Sequence, residues 1–574
     1  MILMEKTAST FAMCGLAGAL AGLPAFDADA QRARPDLTWK TVIADSPLVV
    51  DERPASSVHV TPIAVSRELI EEIRGANQVM LMGVPLGGGE QADLDMTSIS
   101  VTAAPDAKIV NGRGPVRTQS ELGLDGRSQF LGGEVAGAPG SKAFLAITPT
   151  GVNGFVQVDG QLHVITNGDP TQPSDPVVYN MTTLPEGSIH WASFVCNAIE
   201  PQTMQTLNET EITAEAIERH DAANNSGRRG IPGALERARS AEQGVSIETG
   251  GAPTSSAGDP VGFRMGEEPI DDCRILNVAI EVDQEFGDRY ESREDPLAAV
   301  TDYVDTLIAA NNFIYGAAIN VQFRKIYQRT WLFEPEGSDP WEGFSTADLL
   351  FQLQDEWTPT SAPDNVTEWR GVHLLSGRNL GGGIAFLRAM CNKDIAHAVS
   401  ADLFGSFPVV DGTNEPISNQ GNNWDIVVTA HEWGHNLGAP HTHGTNPTID
   451  GCGLGDCTGA ENGTIMSYCH LCPGGLRNIE LVFDQRIINE EVRPYIETAG
   501  CNSVAANADA CVVVPEEVCA ADINGDMQLT PADFVAWVVA YNAGDLVADL
   551  NGDGRLLPND FNAWLNLYNA GCEF

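Results

Sequence analysis

A chain of 574 residues is too long for one ordinary core and calls for several domains. Hydrophobic residues make up 43% of it, enough to bury a sizeable core, while 78 acidic against 32 basic side chains leave a net charge of −46. That balance argues against nucleic acid or an anionic membrane surface as partner and leaves many carboxylates for divalent cations.

In chain order, residues 1–30 are expected to be a signal peptide. Lys6 precedes an apolar run of small residues (7–26), and Ala28-Asp29-Ala30 supplies an A-x-A cleavage pattern. Pro24 and the Gly/Ala-rich run make a poor membrane anchor, and no later stretch approaches a span. The mature chain is therefore expected to be secreted or held at the cell surface, without a transmembrane segment. Export changes how the twelve cysteines are read, because an oxidising compartment pairs them. Cys14 leaves with the signal, so the remaining number is odd, and Cys196 stands alone in the first half. Cys452, Cys457, Cys469 and Cys472 leave two readings, disulfides or a second zinc site, of which export favours the first.

Residues 31–200 form a β-rich domain, with strands at 142–148, 154–160 and 161–166 between Gly, Pro and Asn. Residues 201–271 lack that character and read as a linker with a processing region, Arg228-Arg229, followed by a Gly/Ser/Pro-rich tract. From 272 to 500 the pattern becomes α/β. A strand at 275–282 precedes a helix opened by Asp295-Pro296, with Leu297, Val300, Val304, Leu307 and Ile308 on one apolar face. Strands at 319–327, 371–377 and 384–389 follow, then a helix carrying histidines.

That helix contains HEWGHNLGAPH (431–441). His431 and His435 are one turn apart on the same helical face, so both imidazoles can reach one ion. Gly438 can take the left-handed conformation that ends the helix and returns the chain, which brings His441 in as a third ligand. Three protein ligands and one open position are what a catalytic zinc uses. Glu432, adjacent but not a ligand, can take a proton from the zinc-activated water and pass it to a leaving amine. His443, two residues beyond the third ligand, could compete for the ion, but the Gly-x-x-His spacing favours His441; His470, His373 and His397 read as ordinary surface or core histidines.

The full HExxHxxGxxH pattern resembles that of the metzincin zinc metalloproteases. Their Met-turn has a counterpart in GTIMSYC (463–469), with Met466 at its base. Among metzincins the reprolysin (adamalysin, ADAM-like) group looks closest. DCRILNVAIEVDQEF (272–286) resembles its opening strand, and GGGIAFLRAMC (381–391) resembles the edge strand that holds an extended peptide, here Gly383, Ile384, Ala385 and Phe386. Residues 129–166 look like a reprolysin propeptide. The resemblance implies an α/β catalytic domain, a twisted mixed sheet with its active-site helix, made as a zymogen that hydrolyses protein or peptide substrates with one zinc ion. Thr442 stands where the family usually has Asp, and Met466-Ser467-Tyr468 is closer to the serralysins. In serralysins and astacins a tyrosine at that place helps bind the transition state, so Tyr468 is either an oxyanion stabiliser or a packing residue. Reprolysin propeptides often supply a thiolate to the zinc. Cys196 is the candidate switch, although SFVCNAIEP matches the usual sequence poorly, and a buried free cysteine is the other reading.

After a linker (501–517), residues 518–574 carry one unit twice, 27 residues apart. Asp522, Asn524, Asp526 and Asp533, then Asp549, Asn551, Asp553 and Asp560, fall at calcium-loop spacing, with backbone carbonyls expected from Gln528 and Arg555. The pair resembles type I dockerin, implying a small α-helical module that binds two calcium ions and attaches to a cohesin-like or surface partner. Pro531 and Pro558 sit where dockerins usually carry partner-contacting hydroxyls, which puts a standard cohesin in doubt. The rival reading of the whole chain is a surface adhesion or scaffold protein with a low-activity metzincin domain. The intact Glu432 argues against it.

Overall fold

The computed structural model describes residues 40–499 except 54, 56–58, 172–174, 185–195, 200–272, 334–337 and 409–423, and beyond them 531–543, 548 and part of 560–568. The signal peptide, the Arg228-Arg229 region and the calcium-loop positions 522–528 and 549–555 lie outside the described residues.

The first half supplies β1 (Thr41–Asp45), β2 (Leu48–Val50), β3 (Thr61–Val65), β4 (Gln78–Gly87), β5 (Glu90–Ser98), β6 (Ala103–Asn111) and β7 (Arg117–Thr118). They are followed by β8 (Gln129–Val135), β9 (Lys142–Thr148), β10 (Gly151–Val158), β11 (Gln161–Thr166), β12 (Val177–Asn180) and β13 (Asn197–Ile199). Ten of these form one sheet in the order β1-β4-β5-β8-β9-β10-β11-β12-β3-β2. Its central strands are apolar on both faces. Along β9, Ala143, Leu145 and Ile147 enter a core internal to this half, whereas Phe144 and Ala146 enter a core shared with the second half. A strand buried on both sides loses the polar alternation of a solvent-facing sheet, as KAFLAIT does.

The second half supplies β14 (Arg274–Val282), β15 (Val321–Thr330), β16 (Gly371–Leu375), β17 (Gly383–Phe386) and β18 (His397–Ser400). They lie in an eight-stranded mixed sheet ordered β13-β17-β18-β16-β14-β15-β6-β7, so strands of the first half cover both of its edges. β14 and β15 are parallel and joined by α2 (Pro296–Ile319); α1 (Arg67–Ile73) belongs to the first half. The Asp295 side chain accepts from Ala298 N, Pro296 fills the first turn, and Asn320 closes the helix in the left-handed region.

Sequence periodicity gives α2 one apolar face, but the helix is buried almost all round. Its polar side meets the first half: Arg127 pairs with Asp302 at 2.7 Å, Thr150 Oγ1 donates to Asp302 at 2.7 Å, and Gln119 Nε2 donates to Asp305 at 2.9 Å. Lys325, with no exposed surface, pairs with Asp305 at 2.6 Å. Removing one partner of a buried pair of this kind typically costs about 3–5 kcal/mol. The apolar side of α2 splints α4 (Asp425–Asn436), the histidine helix; α3 (Thr346–Glu356) packs on β17 and β18, the strands that α4 also contacts. Tyr303 Oη donates to Asp425, Asn311 Nδ2 to Thr429 Oγ1, and Tyr315 Oη to the Ala430 carbonyl at 2.6 Å.

In the tail, α5 (Pro531–Ala543) begins at Pro531, and Trp537 and Trp564 are buried with Phe561 packed against them. Asp533 and Asp560 are both buried. No helix among the described residues is long and apolar enough to cross a membrane.

Candidate active site

All twelve residues of α4 are buried. Trp424 at its head offers no side-chain cap, and Asp425 in the first turn instead anchors the helix to the preceding loop, accepting from Phe404 N and Gly405 N at 2.9 and 2.8 Å. A carboxylate there also suits the helix dipole. At the other end Gly438 has φ 104°, which turns the chain back and carries His441 towards His431 and His435.

The three imidazoles converge through their Nε2 atoms, 3.1 Å from His435 to His441 and 3.2 Å from His441 to His431. These spacings approach the roughly 3.3 Å edges of a tetrahedron centred about 2.0 Å from each nitrogen, the zinc–imidazole distance. His431 Nδ1 lies 2.7 Å from the Ile465 carbonyl and His435 Nδ1 lies 2.8 Å from that of Ala439, so each Nδ1 carries the proton and Nε2 keeps its lone pair for a metal. Burial lowers His435 to about 4 and His431 well below its ordinary value, which keeps both neutral and ready to ligate. The residues present fit a zinc ion.

Met466 lies under this cluster, fully buried, with its sulfur 2.8 Å from where a Cβ on Gly434 would stand. Thr442 donates its N–H and its hydroxyl to the Met466 carbonyl at 3.1 and 3.3 Å and so ties His441 to the turn that carries Met466. Cys452–Cys469 and Cys457–Cys472 are disulfides that clamp the loops on either side of the turn. With their sulfurs paired, these four cysteines do not form the alternative zinc site.

Glu432 is fully buried, and neither oxygen accepts an N–H or O–H bond. Burial pushes its carboxyl well above the usual carboxylate range, and the Cys196 thiol beside it offsets part of that rise. A side chain at Gly383 would stand 2.3 Å from Glu432 Oε1, so a glycine is needed for the edge strand to pass the carboxylate.

Gly383, Ile384, Ala385 and Phe386 form β17, antiparallel to β18 on one side. The other side, where the sequence places a substrate, holds β13: Asn197, Ala198 and Ile199 pair parallel with Ile384, Ala385 and Phe386. Cys196, buried and without a disulfide, precedes this strand. Its sulfur, a His431 nitrogen and a Glu432 oxygen lie within 4.8 Å of one another. Tyr468 Oη donates to the Cys196 carbonyl and lies 3.2 Å from His441 Nε2.

Two features were not foreseen from sequence. Asn436 donates from Nδ2 to the Phe386 and His397 carbonyls at 2.9 and 3.1 Å, binding the histidine helix to β17 and β18. An amide side chain directly after the second histidine was the available signal. His470, read from sequence as an ordinary histidine, lines Tyr468 together with His443, which stacks on His441 at 5.1 Å between ring centroids. His373 and His397 are core residues, bonded to Ser400 Oγ and the Trp357 carbonyl. Asp522, Asn524, Asp526, Gln528, Asp549, Asn551, Asp553 and Arg555 lie outside the described residues; Asp533 lies in the first turn of α5, and Asp560 is buried.

Three converging imidazoles, a buried glutamate and an edge strand beside it are the site of a metallopeptidase. Residues 272–478 match the family described as Reprolysin_5: Metallo-peptidase family M12, a class that uses zinc. Among solved structures the chain is similar to the crystal structure of metalloproteinase-II from Bacteroides fragilis, with 12% identity and a TM-score of 0.30 over 70% of this chain and 89% of that one. It is also similar to the structure of a chaperone-substrate complex, with 14% identity and a TM-score of 0.20 over 30% of this chain and 25% of that one. No curated protein matches.

Proposed function

We propose that this protein is an exported, reprolysin-like zinc endopeptidase made as a zymogen. The observation that carries the reading is the meeting of His431, His435 and His441 beside Glu432 at the edge of β17. When bound, zinc polarises a substrate carbonyl and acidifies a water from about 15.7 to roughly 7. The three imidazoles hold the ion, and the edge of β17 aligns an extended peptide beside it. Glu432 accepts the water's proton and returns it to the departing amine. Tyr468, 3.2 Å from His441, can donate to the developing oxyanion once it releases the Cys196 carbonyl. Latency comes from 196–199: the strand fills the substrate edge, and the Cys196 thiol, beside His431 and Glu432, would supply a fourth ligand where a water would otherwise bind. A chelator is expected to abolish hydrolysis by the processed enzyme and zinc to restore it; activity that survives complete zinc removal contradicts the reading.

The tail is read as a dockerin-like attachment module that binds two calcium ions. The carboxylates of each loop repel one another without a cation, and a module of about 57 residues has a marginal core on its own. Calcium is therefore expected to raise the melting temperature of the tail's transition in the full chain, and deleting 518–574 to spare hydrolysis of small peptides. Calorimetry that detects no calcium uptake counts against this assignment.

A further inference from the structure

We propose that residues 40–184 are a permanent half of the enzyme, which stays bound after the chain is cut between 200 and 272. Three kinds of contact carry this. The first is a shared sheet: β6 pairs parallel with β15 from Lys325–Ala103 to Thr330–Asn111, and β7 follows it, so the first half closes the far edge of the catalytic sheet. Without it β15 presents an open row of donors and acceptors.

The second is a shared apolar core. Phe155 meets Trp424, the residue at the head of α4, edge-on at 6.3 Å between centroids, and Phe144 packs on Phe313 and Phe407. The fit is close enough that a side chain at Gly132 would stand 2.5 Å from the Phe313 ring. The third is polar. Asp302 is 3% exposed and takes its charge partner, Arg127, and its hydroxyl donor, Thr150, from the first half. Asn153 Oδ1 accepts from Phe407 N, while Thr166 Oγ1 donates to the Phe407 carbonyl. A detachable inhibitor leaves behind a surface that water can solvate. Loss of this one would bare aromatic rings and strip a buried carboxylate of its cation.

The contact with the catalytic groups is made by a much shorter stretch, 196–199. Hydrolysis of one peptide bond in 200–272 consumes one water and leaves a new carboxylate and a new ammonium. It gives 196–199 a free end from which to leave β17, while the sheet and core contacts of 40–184 persist. The release of 196–199 rests on the zymogen reading above; the retention of 40–184 does not.

The test places a recognition sequence for a specific protease within 205–265 of the full-length chain carrying Glu432→Gln, which prevents self-digestion. After complete cutting, both fragments are expected to elute together from size exclusion at low micromolar concentration, to appear as one complex in native mass spectrometry, and to part only in denaturant. Separation in native buffer overturns the proposal. The same cut in the chain with Glu432 intact keeps the two readings apart: co-elution without any gain of peptide hydrolysis supports retention and sinks the zymogen reading alone.

Discussion

Replacing Glu432 by Gln is expected to lower kcat of the processed enzyme about 10²–10⁴-fold, the range of general acid–base catalysis, while zinc content stays unchanged. The substitution keeps the shape of the side chain, which matters where β17 passes so closely that only a glycine fits at 383. His431, His435 and His441 keep their Nε2 atoms converged, because their backbone partners at Ile465 and Ala439 and the Met466 turn do not involve residue 432. An amide cannot accept the water's proton at neutral pH, so the loss falls on kcat rather than on metal affinity. Unchanged turnover with zinc bound contradicts the assigned base.

Cys196→Ala in the uncut chain is expected to raise peptide hydrolysis above the parent's residual level, and adding Ala198→Pro to raise it further. The first change removes the sulfur beside His431 and Glu432 but leaves β13 on the substrate edge. Proline at 198 removes a strand N–H and clashes in the extended pairing, which weakens β13 itself. The two effects act on different obstacles, one to the water and one to the peptide, and the double variant is expected to approach the activity of the processed enzyme. If both variants stay as silent as the parent, 196–199 is not the latency device.

The histidine helix was legible because its chemistry is local: a four-residue spacing, a glycine that tolerates φ 104° and a returning histidine are all written within eleven residues. The pairing of Cys452 with Cys469 and Cys457 with Cys472 was not legible, since spacing alone leaves several connectivities open. The strand partners were also hidden. Nothing in NAI or in AAPDAKIVN says that one joins β17 and the other β15, because backbone donors and acceptors are the same on every edge and the partner is chosen by tertiary packing. KAFLAIT carried a clue, being apolar at both parities, and the two cores it serves explain why. The anchor of the first turn of α4 was hidden as well. Asp425 does its work through loop amides at 404 and 405, not through the Ser/Thr pattern that marks a helix start in sequence.

The most direct measurement is anomalous diffraction at the zinc edge from crystals of the full-length chain. The account predicts one strong peak in the second half, about 2.0–2.1 Å from Nε2 of each of His431, His435 and His441. A zinc-loaded crystal with no peak at these three nitrogens, or with its zinc bound elsewhere, would contradict it.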